Sequence, residues 1–342
     1  MCIRDINSIF GEEAFMNPAN SEEFTIGYYL SKDLGMFDLD LGFRIDQIER
    51  SGSVTDEDHG DIDYYNIDDT TNSFAITLGK DLSDNLDVSL GYASVERIPS
   101  SIELFMNGPH MATGRFEVGD PNLNSETSNN FDITFNFDNG DFYAYASFYI
   151  TDVDNYIALI DEEDDHMDEE EHHEDEDDHH EEEDDHDEDE HDHGHGNLIH
   201  ANYMQEDAEF DGYEIEFGRS FDLGSGELAL SFGRDVVNAE FADGHYVPRI
   251  NPARNVYSLV YTQDDLLFKL MLKDVEKQND IGEVETATDA YQMLNTRLTK
   301  TFNGMGEGEL KVSLFANNLL DEVARNHSSF VKNEVPLPGR NY

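Results

Sequence analysis

A two-residue period runs through most of this chain and decides what it can fold into. Phe131, Ile133, Phe135 and Phe137 alternate with Asp132, Thr134, Asn136 and Asp138. Phe37, Leu39, Leu41, Phe43 and Ile45 alternate with Asp38, Asp40, Gly42, Arg44 and Asp46. Similar rows are Leu86, Val88, Leu90, Tyr92; Tyr213, Ile215, Phe217; Leu228, Leu230, Phe232; and Leu310, Val312, Leu314. Successive strand side chains point to opposite faces, so each row builds one apolar and one polar face. About twelve strands are expected, starting near residues 22, 36, 71, 86, 125, 142, 206, 226, 254, 266, 289 and 308.

The connections between these strands are of two alternating kinds. Short turns are expected at Ser31–Gly35, Asp81–Asn85, Asp138–Asp141, Asp222–Gly226, Gln263–Asp265 and Asn303–Gly308, with Asn139 and Gly140 a strong hairpin signal. Long connections fall at 49–70, 98–124, 160–205, 241–253, 278–288 and 320–338. An all-β chain joined short, long, short, long has the pattern of a transmembrane antiparallel β-barrel, with long extracellular loops and short periplasmic turns. A soluble β-sandwich is the rival fold. Its strands are commonly shorter, and nothing in it requires the long loops to share one end.

One long connection is unlike the rest. Of the 36 residues from Asp161 to Gly196, 24 are Asp or Glu and nine are His, with no Lys or Arg among them. Such a segment cannot build a core, and it is expected to be a disordered extracellular loop. It is either a solvated acidic stretch or a metal collector. Acid repulsion alone needs no imidazole, which favours the collector. The formal net charge of the chain is −58, and acids outnumber Lys and Arg outside the run as well. Nucleic acid is therefore an unfavourable partner and cations are the natural one. Cys2 is the sole cysteine, which rules out an intramolecular disulfide or a thiolate cluster. No stretch is long and apolar enough for a transmembrane helix, and Met1 is followed by polar residues where a signal peptide would need an apolar segment. Met1 to Asp5 match a translated transposon-end sequencing adapter, so residues 1–21 are expected to be a partial N-terminal segment in which Cys2 carries no meaning.

Three stretches carry a more specific resemblance. The first runs from Arg97 through Glu103, Leu104, Phe105, Gly108, Pro109 and His110 to Thr113, then through Phe116, Glu117 and Asp120 to Leu123 and Glu126. The second is Val247 to Arg254. The third comprises Phe315 to Asp321, Arg325 to Phe330 and Pro336 to Asn341. Together they resemble the C-terminal barrel part of TonB-dependent outer-membrane receptors, nearest to the zinc-uptake branch. The resemblance covers residues 22–342 and implies about twelve strands of a 22-stranded receptor barrel. It also implies a plug domain, and a contact with the TonB-ExbB-ExbD complex, that lie outside this chain. The expected entry of Pro336 to Tyr342 into a further strand reads the chain as a fragment.

The resemblance implies an outer-membrane importer of zinc or another divalent transition metal. The rivals are a receptor for a metal chelate or siderophore, and a surface metal-binding barrel that transports nothing. Aromatic and Arg-lined outer loops would point to a chelate. The donor set is imidazole and carboxylate, which suits Zn²⁺ with Ni²⁺, Co²⁺ and Cu²⁺ as competitors. Candidate ligands are His110, His166, His172, His173, His179, His180, His186, His191, His193, His195 and His200. Spacing within the run is irregular, so it fixes no geometry by itself. Glu117 and Asp120 are weaker candidates. His245 and His59, the latter with Asp56, Glu57 and Asp58, read mainly as exposed loop positions, and His327 as structural. Arg97, Arg249, Arg254 and Arg340 read as members of pairs facing the lumen or the plug. There is no nucleophile elbow, phosphate-cradling Gly loop or His-Glu-x-x-His helix, so no catalytic activity is expected.

Overall fold

The computed structural model describes residues 2–7, 14–55, 59–162, 198–305 and 308–342. Their elements are β1 (Cys2–Asn7), β2 (Ala19–Asp33), β3 (Asp38–Thr55), β4 (Ile62–Ser83), β5 (Leu86–Arg97), a short helix α1 (Ser101–Phe105), β6 (Asn107–His110), β7 (Arg115–Val118), β8 (Glu126–Asp138), β9 (Phe142–Asp161), β10 (Ile199–Asp222), β11 (Glu227–Phe241), β12 (Arg254–Gln263), β13 (Leu266–Val275), β14 (Tyr291–Met305) and β15 (Gly308–Ala316). All strands belong to one 15-stranded sheet. Neighbours in the sheet follow chain order, except that β6 and β7 stand off the main path, so β5 pairs with β8.

Register turns the sequence alternation into a continuous wall. Residues directly opposite each other in a ladder share a face. Leu41 faces Ile76, Ile76 faces Tyr92, Tyr92 faces Phe131 and Phe131 faces Ile150. Further along, Phe217, Phe232, Tyr257, Leu272 and Leu294 form a second such row across β10 to β14. None of these rings and branched chains is buried, and Phe131 and Ile150 are each about half accessible. A belt of this extent on one face fits contact with lipid, not water. The opposite face is polar and bonded to itself, as between the hydroxyls of Thr134 and Ser147 at 2.9 Å, or from Tyr143 to Glu216 at 2.5 Å.

Every expected strand appears, but several extend further than the hydrophobic pattern indicates. β4 begins at Ile62, not near 71, and β10 begins at Ile199, not near 206. On β10 the apolar positions of the outer face run from Tyr213 to Phe221, so residues 199–211 continue beyond the belt. Beyond the belt neither face of a strand meets lipid, and the two-residue alternation fades. These extensions carry the tightly packed parts of the molecule. Buried clusters form around Met16, Ala19, Leu104 and Phe105, around Ala208, Ala239 and Val247, and around Val275, Tyr291 and Ala324. All lie at the end of the sheet that bears the long connections. The short-turn end holds turns such as that at Gly140, whose φ of 90° suits a residue without a Cβ.

Candidate functional site

The connection after β5 carries the first candidate side chain, and its local sequence fixes its shape. The Ser100 hydroxyl accepts from the Glu103 amide at 3.3 Å, and the Glu103 carboxylate accepts from the Ser100 amide at 2.6 Å. This reciprocal box satisfies amides that a helix start leaves without partners. Leu104 and Phe105 are then driven fully inward, and the chain turns at Met106 into the β6–β7 hairpin. Neither α1 nor this hairpin is evident from periodicity, because each element is only four or five residues long.

The hairpin presents His110. Its Nδ1 lies 2.9 Å from Oε1 of Glu117, which also accepts from the Thr113 hydroxyl at 2.6 Å. Glu117 is only 2% exposed, whereas the His110 side chain keeps 32% of its surface. A buried carboxylate on Nδ1–H fixes the tautomer and leaves Nε2 as the free donor atom, the arrangement that makes histidine a good metal ligand. Among the described residues His110 Nε2 has no hydrogen-bond partner. The other polar side chains near His110 in sequence point elsewhere. Glu103 pairs with Arg97 at 2.8 Å, and the Asn107 amide reaches the Thr55 carbonyl at 2.8 Å. Asp120 accepts from the Asn122 amide in its own turn. Of the carboxylates in this stretch, Glu117 is the one that meets His110.

The same hairpin is clamped to both strands that border the acidic run. β7 pairs in parallel with the start of β10, from Arg115 opposite Ile199 to Val118 opposite Asn202. At the end of β9, Asp161 receives two hydrogen bonds of 2.6 Å from Arg115. Asp161, the first acid of the run, is thus held in a salt bridge. His200 sits opposite Phe116 in this ladder and stacks on it at 5.2 Å between ring centroids. Strand alternation places His200 and His110 on opposite faces of the small β6–β7–β10 patch. His166, His172, His173, His179, His180, His186, His191, His193 and His195 lie outside the described residues, as do Asp56, Glu57 and Asp58. Among the described residues no group of three or more His, Cys, Asp or Glu side chains is already arranged to hold a metal.

Beside the clamp lies a half-open cavity of about 440 Å³, bounded by Asp161, Ile199 and residues of three long connections. Its floor is set by Glu285, which accepts from Lys332 at 2.6 Å and from the Arg249 amide at 3.0 Å. His327 is buried behind it, with Nδ1 2.9 Å from the Thr288 hydroxyl. Its Nε2 is 3.1 Å from Glu285 but off the line of a full hydrogen bond. Burial alone would raise the Glu285 pKa. The close contact of His327 and the hydrogen bonds from Lys332 and the Arg249 amide outweigh burial and bring it to about 2. At the rim His245 touches Asp243 at 2.8 Å and Glu283 at 3.4 Å. The four singled-out arginines divide here. Arg97, Arg254 and Arg340 each have carboxylate partners, whereas the Arg249 side chain bonds the Leu159 carbonyl and stacks on Phe330 at 4.3 Å.

Comparison with known proteins agrees with this architecture. Residues 5–319 match the family described as TonB dependent receptor-like, beta-barrel. Among solved structures, the chain is similar to the copper transporter OprC, with a TM-score of 0.72 at 17% identity over 94% of this chain and 48% of that one. It is also similar to the FrpB iron transporter from Neisseria meningitidis, with a TM-score of 0.61 at 15% identity over 95% of this chain and 45% of the other. The ferric yersiniabactin uptake receptor FyuA from Yersinia pestis gives 0.62 at 14% identity over 91% and 42%. At these identities the likeness is one of fold, and the chain spans about half the length of the structures it matches. The family is one of receptors and not of enzymes. The chain belongs to the TonB-dependent receptor β-barrel family of the Gram-negative outer membrane.

Proposed function

We propose that this barrel forms part of an importer of zinc, or of another divalent transition metal, in which the His- and acid-rich run collects the ion and His110 is a defined ligand on its path. One observation carries the reading. The hairpin that bears His110 is paired to β10 and salt-bridged to β9, the two strands that border the run. On this reading an ion gathered by the run 161–196 passes to a histidine already oriented by Glu117. A strongly acidic stretch raises the local cation concentration, and does so less at high salt. Imidazole must be neutral to ligate, so capture weakens as pH falls.

Energy for passage would come from the TonB-ExbB-ExbD complex acting on a plug domain, as the family resemblance implies. Zinc fits the mixed imidazole and carboxylate donors. Copper binds such donors more tightly where both ions are present, so identity rests on competition and not on raw affinity.

The test is a metal titration of the intact receptor, with and without residues 163–196 and with His110→Ala. Removal of the run should lower the number of ions bound and slow growth on limiting zinc. His110→Ala should abolish one tight site while leaving the weaker ones. Unchanged zinc binding and growth in both variants would sink the proposal.

A further inference from the structure

β4 outruns one of its two neighbours. It pairs with β3 along its upper length without a bulge, as far as Thr55 opposite Ile62. With β5 it pairs only from Phe74 to Ser83. On that side Ile62 to Ser73 border no strand among the described residues. β11 also outruns its neighbour β12, but there Tyr246 bridges to Glu240 and the Val247 amide donates to the Ala239 carbonyl. Among the described residues no such segment meets the backbone of Ile62 to Asp68.

The ladder fixes which backbone groups face the open side. Successive residues of an antiparallel strand direct N–H and C=O to alternate neighbours. The Asn72 amide donates to Glu96 of β5 at 2.9 Å, so even-numbered residues turn away from β3. The Thr70 amide is closed off by Asp69 at 2.8 Å. Tyr64, Asn66 and Asp68 therefore present amides and carbonyls to the open side. The edge is braced from behind, where Tyr65 and Ile67 pack against Met16, Leu104 and Phe105. Natural sheets blunt such an edge with Pro, Lys or a bulge, and residues 62–71 contain none of these.

The side chains along the edge narrow the partner. Ile62 and Tyr64 are exposed on the outer face, Tyr64 to 80%. Asp63 and Asp69 are exposed on the opposite face. Between Arg50 and Lys80 there is no Lys or Arg. A second copy of this edge, or the acidic run of the same chain, would set like charge against like. A strand of alternating basic and apolar residues would instead place its cations beside Asp63 and Asp69 and its apolar side chains beside Ile62 and Tyr64.

We propose that the free edge of β4, residues 62–68, docks an extended basic segment of another protein, which adds a strand to the sheet at the end that bears the long connections. This docking does not depend on metal import.

The probe is a labelled octapeptide of alternating Lys and Val, with a second peptide in which Pro replaces every Val. The second has the same charge but cannot lie as a strand. Anisotropy titration of the intact receptor at low salt should show the Lys-Val peptide binding, and the Lys-Pro peptide binding about tenfold more weakly or less. On binding, hydrogen exchange of the Tyr64, Asn66 and Asp68 amides should slow. Exchange at Tyr65 and Ile67, which face β3, should not change. Asn66→Pro removes one open-side donor without breaking a bond to β3, and should weaken Lys-Val binding about tenfold. Its urea midpoint reports whether it is folded, and the exchange pattern of wild type decides the matter without any variant. Equal binding of the two peptides, which shows attraction by charge alone, overturns the proposal. So does failure of the Lys-Val peptide to bind, or exchange at the three amides that saturating peptide leaves unchanged. Protection of those amides before peptide is added overturns it too, because the edge is then already covered within the receptor.

Discussion

Nδ1 of His110 lies 2.9 Å from Oε1 of Glu117, and the carboxylate is nearly inaccessible while the imidazole is not. A buried carboxylate behind a partly exposed ring holds that ring with its outward nitrogen turned to ligate. Glu117→Gln keeps the shape but removes the charge, and should lower zinc affinity at this position about 10–100-fold. The measurement is competition with a zinc indicator in a receptor lacking residues 163–196, so that the run does not mask the site. Asp120→Asn is the control. Asp120 is engaged in its own turn, and its variant should bind as wild type does.

Glu285 holds three long connections together, through the Arg249 amide, the buried His327 and Lys332. Its folded pKa of about 2 lies below the ordinary value of 4.5. Its stabilisation is therefore complete above pH 4.5 and is lost as pH falls from 4.5 toward 2. The gap corresponds to roughly 3 kcal/mol. The hydrogen-exchange protection factors of the Arg249 and Gly282 amides, both bonded to this carboxylate, should fall across that window. In Glu285→Gln their protection factors should be low already at neutral pH and unchanged by acidification. An acid-insensitive wild type would contradict this.

The belt assignment separates adjacent residues by face. Phe148 stands on the outer face opposite Tyr213, and Ser147 on the inner face opposite Glu214. Phe148→Arg places a charge in lipid and should cost about 2–4 kcal/mol near the bilayer midplane. Ser147→Arg should be close to neutral, because the new charge enters a polar face opposite Glu214 and only the hydroxyl pair with Thr134 is lost. Refolding yield and urea midpoint in lipid vesicles read both. Equal effects would mean that the two faces are wrongly assigned.

The fold was legible because lipid on one side and a polar lumen on the other force strict alternation. Rows such as Phe131, Ile133 and Phe135 carry that signal without help from tertiary structure. The same logic explains where the reading stopped. In β10 the segment 199–211 lies beyond the belt, so the alternation begins later than the strand does. The helix α1 and the hairpin that positions His110 are too short for a period to develop. From sequence Glu117 reads, together with Asp120, only as a weaker candidate than His110. Which of Glu103, Glu117 and Asp120 reaches His110 depends on the capping box and on the Arg97 pair, not on distance along the chain. The cavity around Arg249 draws on residues from Arg115 to Glu334, and no local pattern announces it.

The placement of His110 depends on a close approach made far from it in sequence. A Cβ added to Gly52 on β3 would lie 2.5 Å from the Phe105 ring, with further ring atoms at 2.7 and 2.8 Å. Phe105 is fully buried and stacks on Tyr65 at 6.3 Å, so it has little room to yield. Gly52→Ala should therefore destabilise by about 1–3 kcal/mol, the usual cost of overpacking. Because α1 leads directly into the β6–β7 hairpin, its displacement should also weaken zinc binding at His110. Gly42 is the control, since its added Cβ meets nothing nearer than Ala75 at 3.9 Å. Gly42→Ala should be nearly silent in both measurements. Shrinking the opposing ring by Phe105→Leu should restore much of what Gly52→Ala loses, so the double variant should be more stable than the sum of the singles predicts. Additive losses instead would show that Gly52 and Phe105 do not constrain one another, and that the approach of β3 to α1 is not what sets the hairpin in place.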